Sequence, residues 1–289
     1  MNPIDKANAL IEALPYLQAF RGKTFLIKMG GSAMENPDLV AKVMRDIVFL
    51  EVAGINPIVV HGGGKAITAR MREAGLKAKF VNGLRVTDET AIRIVEETLD
   101  GEINPSIVST IQGFGGRASG LSGKNVFVAR RLPPQVMDSG EAIDIGFVGE
   151  AAELRTDEVL KSIAGEIVPV ISPIGASEDG TVLNINADIA AAALAAELRA
   201  SKLIFVSDEP GIMRDPTERD SLIPTITVKQ IENLIKKKVI GGGMIPKVLS
   251  AADALRKGVG KTHLIGGQTQ HCLLLEIFTN AGIGSEIIP

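Results

Sequence analysis

The strongest constraint on the fold is a pattern that occurs twice: an apolar strand, a short run of glycines and then a helix. The first copy is TFLIKMGGS at residues 24–32, with a helical pattern beginning near Pro37. The second is the strand NPIVVH at residues 56–61, followed by glycines at 62–64 and a helix from Lys65 to Ala74. Two such units in succession predict a parallel sheet with right-handed crossovers. Both glycine loops then lie at the carboxyl edge of the sheet, where ligands of such sheets bind.

Lys28 lies near the end of the first strand, just before Gly30 and Gly31. Backbone N–H groups in a glycine turn, the positive end of the following helix and a mobile ammonium group would face one point, which predicts an anion site. Glycine also lets the backbone approach a ligand that a Cβ atom would block. The same residues fit an ordinary strand-to-helix turn beside a surface lysine, so this stretch alone leaves both interpretations open.

Composition and charge indicate a soluble, globular protein. The chain has 289 residues, 45% hydrophobic and 22% charged, with a formal net charge of −3. This charge predicts neither a nucleic-acid partner nor a membrane partner, and no apolar run approaches the roughly 18 residues that a transmembrane helix needs. The single cysteine, Cys272, excludes an internal disulfide and fits a reducing compartment. Because the sequence starts without a signal-peptide pattern, we expect a cytoplasmic location.

A hairpin signal, Asn82-Gly83, lies within the segment FVNGLRVTD at residues 80–88. Arg85 follows this turn, and Asp88 stands where it would cap the next helix. An arginine at the ligand edge of the sheet could bind a carboxylate through two parallel hydrogen bonds. It could equally form a surface ion pair.

The second half of the chain carries a polar cluster and a third glycine run. Asn184, Asn186 and Asp188 alternate, so an extended chain would place them on one face, and Asp188 is also placed to cap the alanine-rich helix that follows. Three polar groups at a helix start favour ligand recognition over capping alone. The glycines at 241–243 precede a further helix that contains Lys247. Neither Gly260-Lys261-Thr262 nor Gly123-Lys124-Asn125 completes a P-loop, and the glycines at 62–64 lack the third glycine of the dinucleotide-binding fingerprint. A nucleotide would therefore bind through a different loop.

Other patterns define the expected organisation of the chain. Residues 4–20 have apolar positions at helical spacing, covered either by the same subunit or by a neighbour, and Pro15 is expected to kink or end this helix. The glycine-rich residues 113–123 are predicted to form a loop, and residues 125–150 to contain antiparallel strands. A polar turn at 175–180 marks the expected boundary between two lobes.

Together, residues 24–32, 57–64, 81–88, 184–188 and 242–248 resemble the N-acetyl-L-glutamate kinases of the amino-acid kinase family. The match follows the family order over nearly the whole chain, and the segments NGLRVTD and NINAD are its most specific parts. The resemblance implies an α/β fold, a three-layer α/β/α sandwich with a mainly parallel central sheet. It also implies transfer of the γ-phosphoryl group of ATP to the side-chain carboxylate of N-acetyl-L-glutamate, the second step of arginine biosynthesis.

The resemblance also implies roles for individual residues. Lys28 and Lys247 would stabilise the transferring phosphoryl group, and Asp188 would orient both lysines. The implied substrate-binding residues are Gly63, Gly64, Arg85 and Asn184. The implied ATP-binding residues are Gly30, Gly31, Asp208, Gly211, Met213, Gly243 and Met244. Mg²⁺ would be held mainly by the ATP phosphates, with no metal site built from protein side chains.

Two positions depart from the family pattern. Lys65 stands where the family commonly has proline after HGGG, and Ser207-Asp208-Glu209 stands where it has a TDV-like segment. The first departure could perturb the substrate loop. The second leaves nucleotide selectivity open.

The resemblance divides the chain into an N-terminal helical extension (1–22), a substrate-binding and dimerisation lobe (23–177) and a nucleotide-binding lobe (178–289). The extension and the segment around Glu276 resemble the arginine-inhibited branch of the family. In that branch the N-terminal helices join three dimers into a hexamer, and the allosteric arginine pocket would include His263, Glu276 and Gly282. A dimeric enzyme with an ordinary extension is the alternative.

Two rival functions are considered. A kinase for aspartate, glutamate, carbamate or uridylate would share the sandwich, but it is not expected to carry both NGLRVTD and NINAD. A catalytically silent amino-acid sensor belongs to another class of protein, and the presence of Lys28, Asp188 and Lys247 argues against it.

Overall fold

The computed structural model describes residues 2–34, 36–137, 140–215 and 217–289, without the side chains of residues 6, 32, 33 and 219. The strands, in chain order, are β1 Thr24–Met29, β2 Asn56–His61, β3 Phe80–Val81, β4 Leu84–Arg85, β5 Ala118–Leu121, β6 Phe127–Arg131, β7 Gln135–Val136, β8 Ala142–Ile143, β9 Val148–Leu154, β10 Val168–Ile171, β11 Ile174–Ala176, β12 Val182–Ile185, β13 Lys202–Ser207, β14 Thr225–Thr227, β15 Lys261–Gly266 and β16 Ser285–Ile288. The α-helices are α1 Pro3–Phe20, α2 Pro37–Val52, α3 Gly64–Glu73, α4 Glu89–Glu96, α5 Asn104–Gly113, α6 Asp157–Ala164, α7 Ala187–Glu197, α8 Val228–Lys236, α9 Met244–Arg256 and α10 Cys272–Ile277. Within the described ranges, no helix is both long and apolar enough to cross a membrane.

Eight of the described strands form one central sheet in the order β14-β16-β15-β13-β1-β2-β10-β5. Neighbouring strands are parallel throughout, except for β15 and β16. The two strands of the repeated pattern, β1 and β2, pair from Thr24 opposite Asn56 to Met29 opposite His61. The predicted, mainly parallel sheet is therefore confirmed, and its carboxyl edge brings the first two glycine loops side by side.

Helices cover both faces of this sheet, which confirms the predicted α/β/α sandwich. Side chains of a strand alternate between the two faces. Phe25, Ile27 and Met29 are buried in one core with residues of α2, α5 and α10, whereas Leu26 is buried in the other core with residues of α7 and α9. Lys28 follows the parity of Leu26, so it points toward α7 and α9.

A small closed barrel of β6, β9, β12 and β11 accompanies the sheet. Strands β6 and β9 are antiparallel, as predicted for residues 125–150. Strands β11 and β12 form an antiparallel hairpin, and its turn contains the expected boundary between residues 177 and 178. Because the barrel takes strands from both sides of this turn, the two lobes share it, and the division of the chain into lobes stays a prediction.

Two local predictions need correction. Pro15 does not end the first helix, because α1 continues to Phe20, and a kink at Pro15 stays a prediction. The hydrogen bond that proline cannot donate is lost on an exposed helix, where water can replace it. Residues 118–121 are not a loop but the edge strand β5, paired with β10. Glycine and serine have weak strand preference, so this strand depends on its neighbour in the sheet rather than on local sequence.

A π-helix interrupts the helical region between residues 89 and 113. It spans Glu97–Ile103, between α4 and α5. Such segments are rare and often lie at functional sites. Here the π-helix carries Leu99 and Ile103 against Gly63, whose Cβ, if it had one, would lie 2.6 Å and 2.7 Å from the ends of those two side chains. The π-helix therefore packs directly on the second glycine loop.

Candidate active site

Three charged side chains meet at the carboxyl end of β1. Lys28 Nζ lies 2.7 Å from Asp188 Oδ1, and Lys247 Nζ lies 3.2 Å from Asp188 Oδ2. Lys28 belongs to β1, Asp188 to the first turn of α7 and Lys247 to the first turn of α9. The three residues predicted to be catalytic are therefore together, and one carboxylate bridges both ammonium groups. We call these three side chains the charged array.

Asn186 fixes the start of α7 and hence the position of Asp188. Its Oδ1 accepts hydrogen bonds from the backbone N–H groups of Asp188 (2.8 Å) and Ile189 (3.2 Å). The prediction that Asp188 caps this helix is thus wrong, because the capping residue must precede the first helical residue and Asp188 lies inside the first turn. Its carboxylate faces the lysines instead.

Burial controls the ionisation of the charged array. Burial lowers the pKa of Lys28; Asp188 opposes this shift, and the charge of Lys247 adds to it. Burial acts to raise the pKa of Asp188, but the charges of Lys28 and Lys247 more than offset it, so that this pKa lies below its usual value. The two ammonium groups that share the Asp188 carboxylate are placed to contact an anion at this point, although the nearby Asp208 carboxylate also acts on Lys28.

Two cavities meet at the charged array. We call the first the substrate-side cavity, after the predicted roles of its residues; it is lined by, among others, Lys28, Gly30, Gly31, Gly63, Gly64, Arg85, Asn184, Asn186 and Asp188. The second, called the nucleotide-side cavity on the same basis, is lined by, among others, Gly31, Asp208, Glu209, Gly211, Met213, Lys238, Gly243, Met244 and Lys247. The four residues predicted to bind substrate thus line the first cavity. Six of the seven residues predicted to bind ATP line the second, whereas Gly30 lines only the first.

Glycine is required where the two cavities join. A Cβ on Gly30 would lie 2.2 Å from Lys28 Nζ, so the ammonium group occupies the space of the missing side chain. Gly31 has φ +76°, and a Cβ there would lie 2.7 Å from Asp208 Oδ1. The first glycine turn therefore leaves room for one cation and one carboxylate at the junction.

Arg85 presents a buried guanidinium to the substrate-side cavity. Its Nη2 donates hydrogen bonds to Gly64 O (2.6 Å) and Thr68 Oγ1 (2.9 Å), and the guanidinium lies 4.7 Å from the centre of the Phe80 ring. Burial lowers the pKa of Arg85, and no carboxylate in the described part of the chain forms an ion pair with it. The hairpin of β3 and β4 that carries Arg85 is confirmed, with Asn82 and Gly83 both at positive φ. The surface ion pair, the alternative for Arg85, is not what the described residues form.

Comparisons with known proteins show the family of the chain. The sequence profile of the "Amino acid kinase family" matches residues 23–266. An acetylglutamate kinase of Akkermansia muciniphila is 53% identical over 287 residues, which cover 99% of this chain and 96% of the relative. The chain belongs to the amino-acid kinase family, among the acetylglutamate kinases.

Solved structures show the same likeness. The N-acetylglutamate synthase of Neisseria gonorrhoeae, complexed with coenzyme A and N-acetyl-glutamate, superposes with a TM-score of 0.86 at 25% identity. The match covers 98% of this kinase and 63% of the synthase chain. The same synthase complexed with coenzyme A and L-arginine superposes with a TM-score of 0.81 at 26% identity, and that match covers 98% of this kinase and 65% of the synthase chain.

The three residues predicted to form an arginine pocket also lie together. His263 Nδ1 lies 2.7 Å from Glu276 Oε1, and both side chains are buried. A Cβ on Gly282 would lie 2.8 Å from Glu276 Oε2, the oxygen that accepts hydrogen bonds from the backbone N–H groups of Ile283 (2.7 Å) and Gly284 (3.0 Å). We call His263, Glu276 and Gly282, together with Lys202, the distal cluster.

Lys202 is the member of the distal cluster that sequence reasoning missed. Its Nζ lies 3.0 Å from His263 Nε2 and 5.4 Å from the centre of the Phe20 ring at the end of α1. Burial lowers the pKa of Lys202 to about 8, with Lys261 adding to the shift and Glu276 opposing it. No motif marks this lysine, because its partners come from α1, β15 and α10. The cluster lies at the amino end of β13, whereas Lys28 pairs with Phe205 near the carboxyl end of that strand.

Three residues that line the two cavities were not predicted from sequence, whereas Asn186 was predicted as one of three polar groups for ligand recognition. Leu99 and Phe80 are apolar, and their positions come from the π-helix and from stacking on Arg85. Lys238 lines the nucleotide-side cavity with φ +58°. It lies just past the end of α8, where no local pattern distinguishes a binding lysine from a solvated one.

We expect Asp188→Ala to lower the free energy of unfolding by about 3–5 kcal/mol, because Lys28 is left buried without its carboxylate. Lys28→Met added to Asp188→Ala should recover much of this loss, since the unpaired buried charge is then gone. Urea denaturation of the wild type, the two single variants and the double variant measures the coupling. Strictly additive effects would show that the two side chains do not depend on each other.

Proposed function

We propose that this kinase transfers the γ-phosphoryl group of ATP to the side-chain carboxylate of N-acetyl-L-glutamate, the second step of arginine biosynthesis. The observation that carries the proposal is the meeting of two cavities at the charged array. One cavity contains the guanidinium of Arg85, which suits the carboxylate of an amino-acid derivative. The other is lined by the third glycine run, ahead of Lys247. The relatives of matching length named acetylglutamate kinase support this choice of substrate.

The chemistry requires positioning and charge stabilisation rather than a base. A carboxylate is already a nucleophile at neutral pH, so no side chain has to remove a proton. Lys28 and Lys247 face the junction from the two cavities, and they would stabilise the negative charge that spreads over the transferring group. Asp188 would keep the two ammonium groups in position. Gly31, Gly63 and Gly64 would contribute backbone N–H groups.

The two cavities would hold their ligands by different means. Arg85 and Asn184 would orient the substrate; Asn184 Nδ2 already donates a hydrogen bond to Thr87 Oγ1 at 3.3 Å. Six residues would line the nucleotide: Gly31, Asp208, Gly211, Met213, Gly243 and Met244. Within the described ranges, no cluster of three or more His, Cys, Asp or Glu side chains could hold a metal ion. We propose that Mg²⁺ arrives with ATP, held mainly by its phosphates and partly neutralising their charge. We place this reaction in the cytoplasm.

The deciding experiment is a substrate screen. We expect ATP turnover with N-acetyl-L-glutamate to exceed turnover with glutamate, aspartate or carbamate by at least about a hundredfold, because an unmatched polar group in a buried site is costly. ADP release and trapping of the acyl phosphate with hydroxylamine measure it. Lys28→Ala, which should lower turnover by roughly a hundredfold or more, controls for contaminating kinases. A preference for another acceptor would assign a different member of the family, and no turnover with any would favour an amino-acid sensor.

Arg85→Lys should raise the Michaelis constant for N-acetyl-L-glutamate by about tenfold or more and change that for ATP far less. Lysine cannot reproduce the two parallel hydrogen bonds of a guanidinium to a carboxylate. Steady-state kinetics with each substrate varied in turn provide the measurement. Arg70→Lys is the matched control, since Arg70 is exposed on α3 and pairs with Glu73 and Glu102. Equal effects of Arg85→Lys on both Michaelis constants would make Arg85 a structural residue.

We further propose that arginine inhibits this kinase at the distal cluster. Glu276 presents a buried carboxylate there, and the Neisseria synthase with the same fold has been solved with L-arginine. The cluster touches α1 because the Phe20 ring covers Lys202. Tyr16 of the same helix donates a hydrogen bond at 2.5 Å to Asn280, which lies between Glu276 and Gly282 in the chain. Arginine bound beside Glu276 and Gly282 would therefore contact the end of this helix.

The other half of α1 supports assembly into a hexamer. Ile4, Leu10, Ile11 and Leu14 are all exposed, with Ile4 at 70% and Leu14 at 43%. An apolar helix face of this kind is stable only when it is covered. We propose that the same helix of a neighbouring dimer covers it, so that three dimers join through α1.

Deletion of residues 1–20 should therefore leave dimers that still turn over substrate but respond weakly to arginine. Coupling between an effector and a catalytic site is typically about 1–3 kcal/mol, and it requires a conformation that both sites favour differently. Light scattering and arginine titrations of both proteins measure assembly and inhibition. Glu276→Gln is the control that should lose inhibition while staying hexameric. A deletion variant that stays hexameric, or a full-length protein that millimolar arginine does not inhibit, would refute the proposed regulation. The proposed reaction would be unaffected by either result.

A further inference from the structure

His61 has no part in the reaction above, although it ends β2 directly before the second glycine loop. Its side chain is fully buried, and it is absent from the described residues that line the two cavities. We infer that Asn104 and His61 form a hydrogen-bond relay that orients the Gly62–Gly63 peptide, so that the Gly63 N–H points into the substrate-side cavity. Both would be positioning residues, because neither touches the cavity. Only the kinetic part of this inference rests on the proposed function.

The contacts of the His61 ring define which nitrogen carries the proton. Nδ1 lies 3.0 Å from Gly62 O, and Nε2 lies 3.3 Å from Asn104 Nδ2. A carbonyl oxygen only accepts hydrogen bonds, so Nδ1 must donate. Nε2 then carries the lone pair and accepts from the Asn104 amide. Burial lowers the pKa of His61 to about 4, which keeps the ring neutral near pH 7.

Asn104 is held in the orientation that this relay needs. Its Nδ2 also donates a hydrogen bond to Val170 O at 2.9 Å, so both amide hydrogens have acceptors. Its Oδ1 lies against Gly120 of the edge strand, where a Cβ would be only 2.2 Å away. A flipped amide would place Oδ1 against two acceptors, so the opposite orientation is excluded. The relay thus joins β2, β10 and β5.

The orientation of one carbonyl fixes the next N–H. A trans peptide is planar, and its C=O and N–H point in opposite directions. Because Gly62 O faces the buried ring of His61, the Gly63 N–H faces the other way, toward the cavity that Gly63 lines. No described residue accepts a hydrogen bond from it. It is therefore placed to donate to an oxygen of the substrate or of the transferring phosphoryl group.

The backbone around this peptide is held from both sides. Gly62 N–H donates to Met29 O at 2.7 Å, which ties the loop to β1. Leu99 and Ile103 of the π-helix pack on Gly63 where its Cβ would be. A loop fixed in this way can keep an N–H aimed at its target before the substrate binds, which is the condition for efficient charge stabilisation.

The tautomer of His61 gives a direct test that needs no activity. The chain has three histidines, so the His61 ring signals can be assigned by comparison with a His61→Asn variant. Long-range ¹H–¹⁵N spectra should show Nδ1 protonated and Nε2 unprotonated at pH 7. A proton on Nε2 would overturn the inference, because Gly62 O would then have no donor.

Turnover of His61 variants tests the consequence. The Asn amide can take the place of Nδ1 and donate to Gly62 O, whereas Leu cannot. We expect His61→Asn to keep turnover within about threefold and His61→Leu to lose about ten- to a hundredfold, less than or similar to removal of a direct donor. The Michaelis constant for ATP should be unchanged in both. Equal losses in the two variants, with equal unfolding midpoints, would refute the relay.

Gly120→Ala tests the relay from its far end. The added methyl would displace Asn104 without touching either cavity. Turnover of Gly120→Ala should therefore fall by about the same factor as turnover of His61→Leu. Gly113→Ala is the control, since nothing lies within 4 Å of a Cβ there. Normal turnover in a folded Gly120→Ala protein would contradict the inference. If the wild type phosphorylates none of the acceptors, the proposed function has failed. The NMR measurement of the His61 tautomer then decides by itself whether the relay exists.

Discussion

Two lysines that share one buried carboxylate are the interaction on which the rest of this structure depends. A charge removed from water must be paired, or the chain loses several kcal/mol. The partners of Asp188 come from a central strand and from a different helix, so the pairing is complete only when the sheet and its helical layer are assembled. Alternation along β1 turns Lys28 to the correct face, and the cap at Asn186 fixes the first turn of α7.

The parts of this site that follow local rules could be predicted from sequence. Apolar runs before glycines indicated β1 and β2, and two such units implied the parallel sheet and the edge where ligands bind. The hairpin at Asn82-Gly83 followed from turn chemistry. The gathering of Lys28, Asp188 and Lys247 in one place came from the family resemblance, because no local pattern relates residues so distant in the chain.

The parts that depend on distant contacts could not be predicted. Strand β5 exists because β10 pairs with it, and Gly120 is small because Asn104 occupies the space above it. The choice between Asn186 and Asp188 as helix cap depended on which residue begins the helix, and a shift of two residues reverses the answer. Pro15 was misjudged because an exposed helix tolerates a missing hydrogen bond. In each case the outcome depends on a contact with a residue distant in the sequence, or on a helix boundary that sequence patterns place only to within one or two residues.

The central position of β1 also determines the order in which the chain can fold. One side of β1 pairs with β2, the next strand in the chain, while the other side waits for β13, with Phe25 opposite Lys202. On a ribosome, the amino-terminal half emerges well before that partner. A strand with an unpaired apolar edge is a template for pairing with another chain. The newborn chain therefore carries an unpaired apolar strand edge at β1 until β13 has been synthesised.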